Sequence, residues 1–183
     1  MNVTCLVGSL RKGSYNRMLA HACQELAPAG MTIAIWDRLR ELPHYDGDLD
    51  TAEPPEPVAD LRKTIAAADA LLVVSPEYNW NIPGALKNAI DWASRPANAS
   101  CLNKKPAAIM GAAGGPMGTV RMQLALRQCF AFTETYVVYK PEVLVMKAAD
   151  KFDADGRLTD EMTRKLVSQL LDNLASWTRK MGA

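Results

Sequence analysis

The sequence predicts an α/β fold: a doubly wound parallel sheet of five strands, order 2-1-3-4-5, with helices on both faces. Two observations carry this. Short apolar runs at 2–7, 31–36, 70–75, 106–110 and 135–139 read as strands, and each is followed by a segment of helical character. The run Ala70-Leu71-Leu72-Val73-Val74-Ser75 is also apolar without alternation, as a parallel strand covered on both faces requires. No repeat or shift of composition divides the chain, so residues 1–183 are expected to form one domain around a core drawn from 49% hydrophobic residues.

Strand one leads through a polar loop into helix one, at about 14–27, where Met18, Leu19, Ala22, Cys23 and Leu26 recur at helical spacing. Pro28 and Gly30 break the chain before strand two. Residues 37–57 are polar and proline-rich and read as a long surface connection. Its Asp46, Asp48 and Asp50 have the first spacings of a calcium loop, but Thr51 replaces the turn glycine and Pro57 the bidentate glutamate. His44 has no neighbours of metal-ligand type and reads as a surface residue. Helix two is expected at 58–68. Loop 76–82 follows strand three, and Pro83 opens helix three, which carries Leu86, Ile90 and Trp92 and ends near 94–96. Loop 111–116, rich in glycine, leaves strand four for helix four at about 117–131. The turn at 153–156 has too few ligands for calcium, and a last helix begins near Thr159. Its stripe of Met162, Leu166, Leu170, Leu174, Trp177 and Met181 reads as a core face.

The chemistry begins at Gly8-Ser9-Leu10-Arg11-Lys12-Gly13-Ser14-Tyr15-Asn16. A loop of small hydroxylated residues between a strand and a helix points backbone N–H groups at one spot, where the helix dipole favours negative charge. Ser9, Ser14 and Asn16 add side-chain donors, and Arg11 adds a charged fork suited to one phosphate. A plain serine-rich turn that caps the helix is the bland alternative. A triphosphate loop is excluded, because Ser14 and Tyr15 stand where G-x-x-x-x-G-K-[ST] needs lysine and a hydroxyl. No G-x-G-x-x-G follows this strand either. Cys5 and Arg11 have the C-x5-R spacing of small tyrosine phosphatases, but apolar Leu6 and Val7 place Cys5 inside the strand, and the chain has no Asp-Pro acid.

Charge narrows the classes further. With 21 basic and 20 acidic residues the net charge is +1, which leaves no footprint for nucleic acid or an anionic membrane and argues against a strongly acidic electron carrier. The four cysteines form no C-x-x-C and no metal pattern; Cys5, Cys23 and Cys129 read as core thiols. No apolar run reaches transmembrane length, and the expected setting is the reducing cytoplasm.

In flavodoxin-like order, strands one, three and four are neighbours, so loops 8–16, 76–82 and 111–116 share the edge where such sheets bind ligands. Loop 76–82 brings Tyr78 and Trp80, and loop 111–116 brings Gly111, Gly114 and Gly115. A flat ring could lie between them, or the two aromatics could pack over a helix end. A planar ring with one phosphate matches flavin mononucleotide (FMN) better than an adenine nucleotide.

Two motifs then carry a family resemblance. The loop 8–16, together with Pro76-Glu77-Tyr78-Asn79 and Ile82-Pro83-Gly84-Ala85-Leu86-Lys87-Asn88-Ala89-Ile90-Asp91-Trp92, resembles the NAD(P)H-dependent FMN reductase family. Within it the chain is most similar to the chromate reductase or soluble quinone reductase group. The resemblance implies FMN, with NADPH or NADH as co-substrate, and ping-pong hydride transfer to quinones or to chromate and azo dyes. It implies that Ser9, Arg11, Ser14 and Asn16 hold the phosphate, beside Tyr15, and that Pro76, Glu77, Tyr78, Asn79 and Ile82 line the ring with Gly111, Gly114 and Gly115 opposite. It implies a homodimer or homotetramer, with Arg121 and Glu142 in subunit contacts. Trp80 stands where a tyrosine is common, Leu124 replaces a tyrosine near the interface, and loop 111–116 lacks serines that some members have. An FMN-binding electron carrier without nicotinamide turnover is the competing class, and the phosphatase built on Cys5 and Arg11 the remote one.

Overall fold

The computed structural model describes residues 1–182. Its strands are β1 (Asn2–Val7), β2 (Thr32–Trp36), β3 (Ala70–Val74), β4 (Pro106–Ala112), β5 (Tyr136–Val137) and β6 (Val143–Val145). The helices are α1 (Tyr15–Glu25), α2 (Glu56–Ala67), α3 (Gly84–Ala93), α4 (Val120–Phe132) and α5 (Glu161–Lys180). Every pairing is parallel, in the order β2-β1-β3-β4-β5, with β6 joining β4 farther along its length.

Successive side chains of a strand point to opposite faces, and the sheet uses both. On one face Cys5, Leu72, Val74, Ala108 and Met110 pack with Leu19 and Cys23 of α1 and Leu170 and Leu174 of α5. On the other, Leu6, Leu71, Val73, Ala107 and Ile109 pack with Leu61 and Ile65 of α2, Leu86 and Trp92 of α3, and Leu126 and Phe130 of α4. Full burial of β3 on both faces accounts for its unbroken apolar sequence.

The connection 37–57 is polar yet ordered. It contains short 3-10 turns at Leu39–Glu41 and Gly47–Leu49. Asn88 of α3 accepts from Tyr45 N at 2.8 Å and donates to Pro43 O at 2.8 Å, and Trp92 Nε1 donates to the same carbonyl at 2.8 Å. Arg38 grips Glu41, Glu56 and Asp60 together, which ties the connection to α2.

Three expectations are corrected. The fifth strand is not continuous over 135–139. β5 stops at Val137, opposite Ala107, and the ladder resumes at Val143, opposite Met110. Pro141, which has no N–H to give a ladder, falls in the bulged-out stretch, where Tyr139 and Lys140 are exposed. Strand four runs on to Ala112, so Gly111 belongs to the sheet and not to the loop. A Cβ at Gly111 would stand 2.0 Å from the backbone oxygen of Ser75; this close approach of β3 and β4 demands glycine. The core face of α5 is also rotated from the expected stripe: Met162 is exposed, and the buried set is Thr163, Val167, Leu170, Leu171, Leu174, Ala175 and Thr178.

Candidate functional site

The phosphate-type loop lies where β1 ends and α1 begins. Ser14 has extended backbone and caps α1, its Oγ accepting from Asn16 N at 3.2 Å. Ser9 and Ser14 are buried, and Ser9 Oγ accepts from Arg11 N at 3.4 Å, which folds the loop back on itself. Both hydroxyls keep a hydrogen to give an anion. Arg11 and Lys12 are exposed at the loop's tip. Asn16 has another task. Its Nδ2 donates to Ala112 O at 2.9 Å and its Oδ1 accepts from Ala112 N at 2.8 Å, so the buried side chain pins the start of α1 to the end of β4. The donor expected of that amide goes to the sheet instead. Tyr15 stacks on Phe152, with ring centroids 5.6 Å apart.

Loop 76–82 is a tight hairpin. Tyr78 and Asn81 exchange backbone hydrogen bonds of 3.1 and 2.9 Å, and Asn79 and Trp80 between them have φ of 50° and 63°. Left-handed backbone at both central positions is the type I′ geometry, which an asparagine tolerates and a tryptophan adopts only under local constraint. The constraint is visible: the Arg121 guanidinium lies 4.3 Å from the Trp80 ring centroid. Pro76 is buried and Ile82 half-buried against the α3 side of the core.

Glu77 does not point at open space. Its Oε2 accepts from Arg121 N at 2.8 Å and Met122 N at 3.0 Å, and Oε1 lies 3.6 Å from Arg121 Nη1. The residue before α4, Thr119, makes no capping bond of its own, so Glu77 caps α4 from 44 residues away. That carboxylate holds the hairpin against the segment leaving β4. In that segment Gly114 and Gly115 are exposed, and a Cβ at either would meet nothing within 4 Å. Their backbone is therefore open to a flat ligand. Thr119 and Ser75 are fully buried beneath the site, a supporting layer that no sequence motif announces.

Two cavities flank the first loop. One, of about 420 Å³, is lined by Ser9, Leu10, Arg11 and Lys12 with Arg40 from the 3-10 turn after β2. The other, of about 340 Å³, lies between Leu10, Arg11 and Arg40 on one side and Tyr78, Gly84 and Ala85 on the other. The structure thus brings Arg11 and Tyr78 to one cleft. It also adds Arg40, whose placement depends on how the long connection folds. The donor chemistry at one end fits a phosphate dianion, and the open backbone with an aromatic wall at the other fits a planar ring, so the residues suit FMN.

Cys5 fails as a nucleophile. It is fully buried in β1, and burial pushes its thiol pKa up to about 12, so no thiolate is available at neutral pH.

A doubly wound sheet of this order, with mononucleotide-type donors at its carboxyl edge, defines the flavodoxin-like class. Comparison with known proteins narrows the class. Residues 1–150 match the family model of NADPH-dependent FMN reductases. The chain is 44% identical to an NAD(P)H-dependent FMN reductase of Pseudomonas aeruginosa, over 99% of this chain and 97% of that one. It is 40% identical to a 2-hydroxy-1,4-benzoquinone reductase of a Burkholderia species, over 98% and 97%. Among solved structures, the flavoenzyme NAD(P)H:acceptor oxidoreductase FerB of Paracoccus denitrificans superposes with a TM-score of 0.89 at 37% identity, covering 98% of each chain. The chain belongs to the NADPH-dependent FMN reductase family. It is accordingly an oxidoreductase that uses FMN as cofactor and NAD(P)H as co-substrate.

Proposed function

We propose that this chain is an FMN-dependent NAD(P)H:quinone oxidoreductase, working as one flavin-binding domain. The reading is carried by the convergence of Ser9, Ser14 and Arg11 with the Tyr78 hairpin and the open Gly114–Gly115 backbone on one sheet edge. The names of relatives as quinone reductases, from Pseudomonas putida and Escherichia coli, support the acceptor class.

FMN held at this site would supply the hydride chemistry of a ping-pong reaction between a nicotinamide and the acceptor. The chain's residues bind, orient and shield. Ser9, Ser14 and Arg11 hold the phosphate by charge-assisted hydrogen bonds. Pro76, Tyr78, Asn79 and Ile82 give one wall of the ring site, with Gly114 and Gly115 opposite. Glu77 fixes the distance between these walls by capping α4. Asn16 keeps the phosphate loop in register with β4. A wall that is open and aromatic selects flat acceptors more than one particular shape, so several quinones should serve, with chromate and azo dyes as further candidates.

We infer a homodimer, with a tetramer built through Arg121 and Glu142. Among the described residues no helix is long and apolar enough to cross a membrane. The four cysteines are free, in keeping with a reducing cytoplasm.

The test is the visible spectrum of the purified protein, identification of the released cofactor, and NADH and NADPH oxidation with 1,4-benzoquinone. A bound FMN with quinone-dependent turnover is expected. A colourless protein that takes up no FMN, or a flavoprotein with no turnover from either donor, would overturn the proposal, the latter in favour of an electron carrier.

A further inference from the structure

We propose that the β5 edge of the sheet carries a second ligand site, against the last turns of α5, and that its ligand is a single-ring aromatic carboxylate of the hydroxybenzoate type. The proposal goes beyond the flavin-dependent reading and does not rest on it, because the site shares no residue with the two cavities beside loop 8–16.

The site is a cleft of about 230 Å³. Its floor is Val137 and Val138, both buried. Two aromatic side chains line it, Tyr139 from the bulged-out stretch and Trp177 from α5. Each is held. Trp177 Nε1 donates to Tyr136 O at 2.9 Å. The Arg127 guanidinium lies 5.2 Å from the Tyr139 ring centroid, and its Nη1 donates to Val138 O at 3.3 Å. Asn173 Nδ2 donates to Lys140 O at 2.9 Å, which ties α5 to the bulge across the cleft. The walls are therefore set before a ligand arrives, and binding is spared the cost of ordering them. Tyr139 is nevertheless 71% exposed, an aromatic surface with nothing of this chain to cover it.

The polar groups choose the ligand. Lys180 lines the cleft, and among the described residues no carboxylate forms an ion pair with it. The last turn of α5 holds two cations, Arg179 and Lys180, and only Lys180 faces the cleft. No acidic residue is among the described residues that line it. Ser176 adds a hydroxyl, and Asn173, its Nδ2 already bonded, keeps an acceptor oxygen. A ring between Tyr139 and Trp177, a carboxylate for Lys180 and Ser176, and a hydroxyl for Asn173 Oδ1 match these groups one for one. The cleft is smaller than the roughly 300–1,000 Å³ of sites for drug-sized ligands, so one substituted ring fits where a nucleotide does not.

The experiment is calorimetric titration of the FMN-loaded protein with 4-hydroxybenzoate and with its uncharged counterpart 4-hydroxybenzamide, while the flavin absorbance is followed. The same titrations are made on Lys180→Glu, Lys180→Arg and Tyr139→Ala, with quinone turnover, melting temperature and light scattering alongside. One 4-hydroxybenzoate should bind per chain, about tenfold or more tighter than the amide, as one charge-assisted contact provides, and leave the flavin spectrum unchanged. Lys180→Glu should erase that preference and Lys180→Arg keep it. Tyr139→Ala should weaken both ligands about two- to tenfold. Turnover and melting temperature should be unchanged in all three variants. No binding at millimolar concentration, equal affinities for acid and amide, or binding that Lys180→Glu leaves intact would overturn the site. So would a flavin spectrum that shifts on binding, which would place the acid at the flavin. A smaller assembly in Tyr139→Ala would also overturn it, by giving the cleft to a second copy of the chain. A protein that takes up no FMN would overturn the functional reading alone, and titration of that flavin-free protein would still decide this site.

Discussion

At the scale of single residues, Arg11 and Lys12 are neighbours of equal charge with unequal tasks. Arg11 lines both cavities beside the loop, whereas Lys12 lines only the larger of the two. A hydrogen bond to a charged group contributes on the order of 1.5–3 kcal/mol, so Arg11→Ala should weaken FMN roughly 10- to 150-fold. Lys12→Ala should matter much less for FMN. Fluorescence titration of the apoproteins reads both, and equal losses would reject the division. A second residue-scale outcome concerns Asp160, which caps α5 by accepting from Thr163 N at 2.9 Å and pairs with Lys151 Nζ at 2.6 Å. The Lys151 ammonium, with help from Thr163, holds its pKa down at about 2, against an ordinary 3.8. Folding therefore favours the ionised form. Its stabilisation is complete above pH 3.8 and fades as the pH falls towards about 2. Asp160→Asn should lower the melting temperature at pH 6, and the gap from wild type should narrow below pH 3.8; a gap independent of pH would show that only the cap matters. The candidate phosphate loop was legible as a strand–loop–helix in sequence, because strand, hydroxyls, arginine and helix fall within one short window. The partner of Asn16 was not, since Ala112 lies 96 residues away and no local pattern encodes that bond.

At the scale of elements, the carboxyl edge of the sheet is held by a helix cap that crosses between loops. Without Glu77, the first turn of α4 has no acidic residue and no capping side chain of its own. Glu77→Ala should therefore destabilise the fold by about 1–2 kcal/mol, a fall in melting temperature of roughly 2–8 °C. Glu77→Gln keeps one acceptor oxygen and should lose less. Thermal unfolding of the apoproteins checks the ranking, and an unchanged melting temperature in Glu77→Ala would remove the cap from the account. The sequence placed Glu77 in the right loop, but its neighbours advertised a ring wall, and the capping role emerged only when β3 and β4 brought 77 and 121 together. Boundaries failed for a similar reason. The helical period of α5 is real, but a sheet selects which of two adjacent stripes it covers, and it selected Val167, Leu171 and Ala175 over Met162 and Met181. The split between β5 and β6 escaped because an edge strand pairs on one side only, so leaving the ladder around Pro141 frees few backbone groups from pairing.

At the scale of the whole molecule, topology was the most legible property. A central strand without a polar residue must be covered on both faces, and alternation with helices leaves few right-handed ways to do so. What the surface does next is less local. On α4, Arg121, Leu124, Gln128 and Phe132 recur at the spacing of one helical stripe, and Leu124 and Phe132 are 56% and 83% exposed. Trp80, 71% exposed and stacked by Arg121, extends that stripe to the hairpin of loop 76–82. Apolar groups this large are costly to leave in water, and a second copy of the same stripe is a complementary cover. The chain should therefore be a dimer at micromolar concentration. The double variant Leu124→Glu with Phe132→Glu places like charges across that contact and should be a monomer with an unchanged circular dichroism spectrum. If Arg121 also reaches a second dimer, Arg121→Ala should reduce a tetramer to dimers and leave the dimer contact intact. Light scattering of the three proteins decides: a monomeric wild type rejects the assembly, an oligomer that survives the double variant moves the contact away from α4, and a tetramer that survives Arg121→Ala leaves that arginine its intrachain task of stacking on Trp80 beside Glu77.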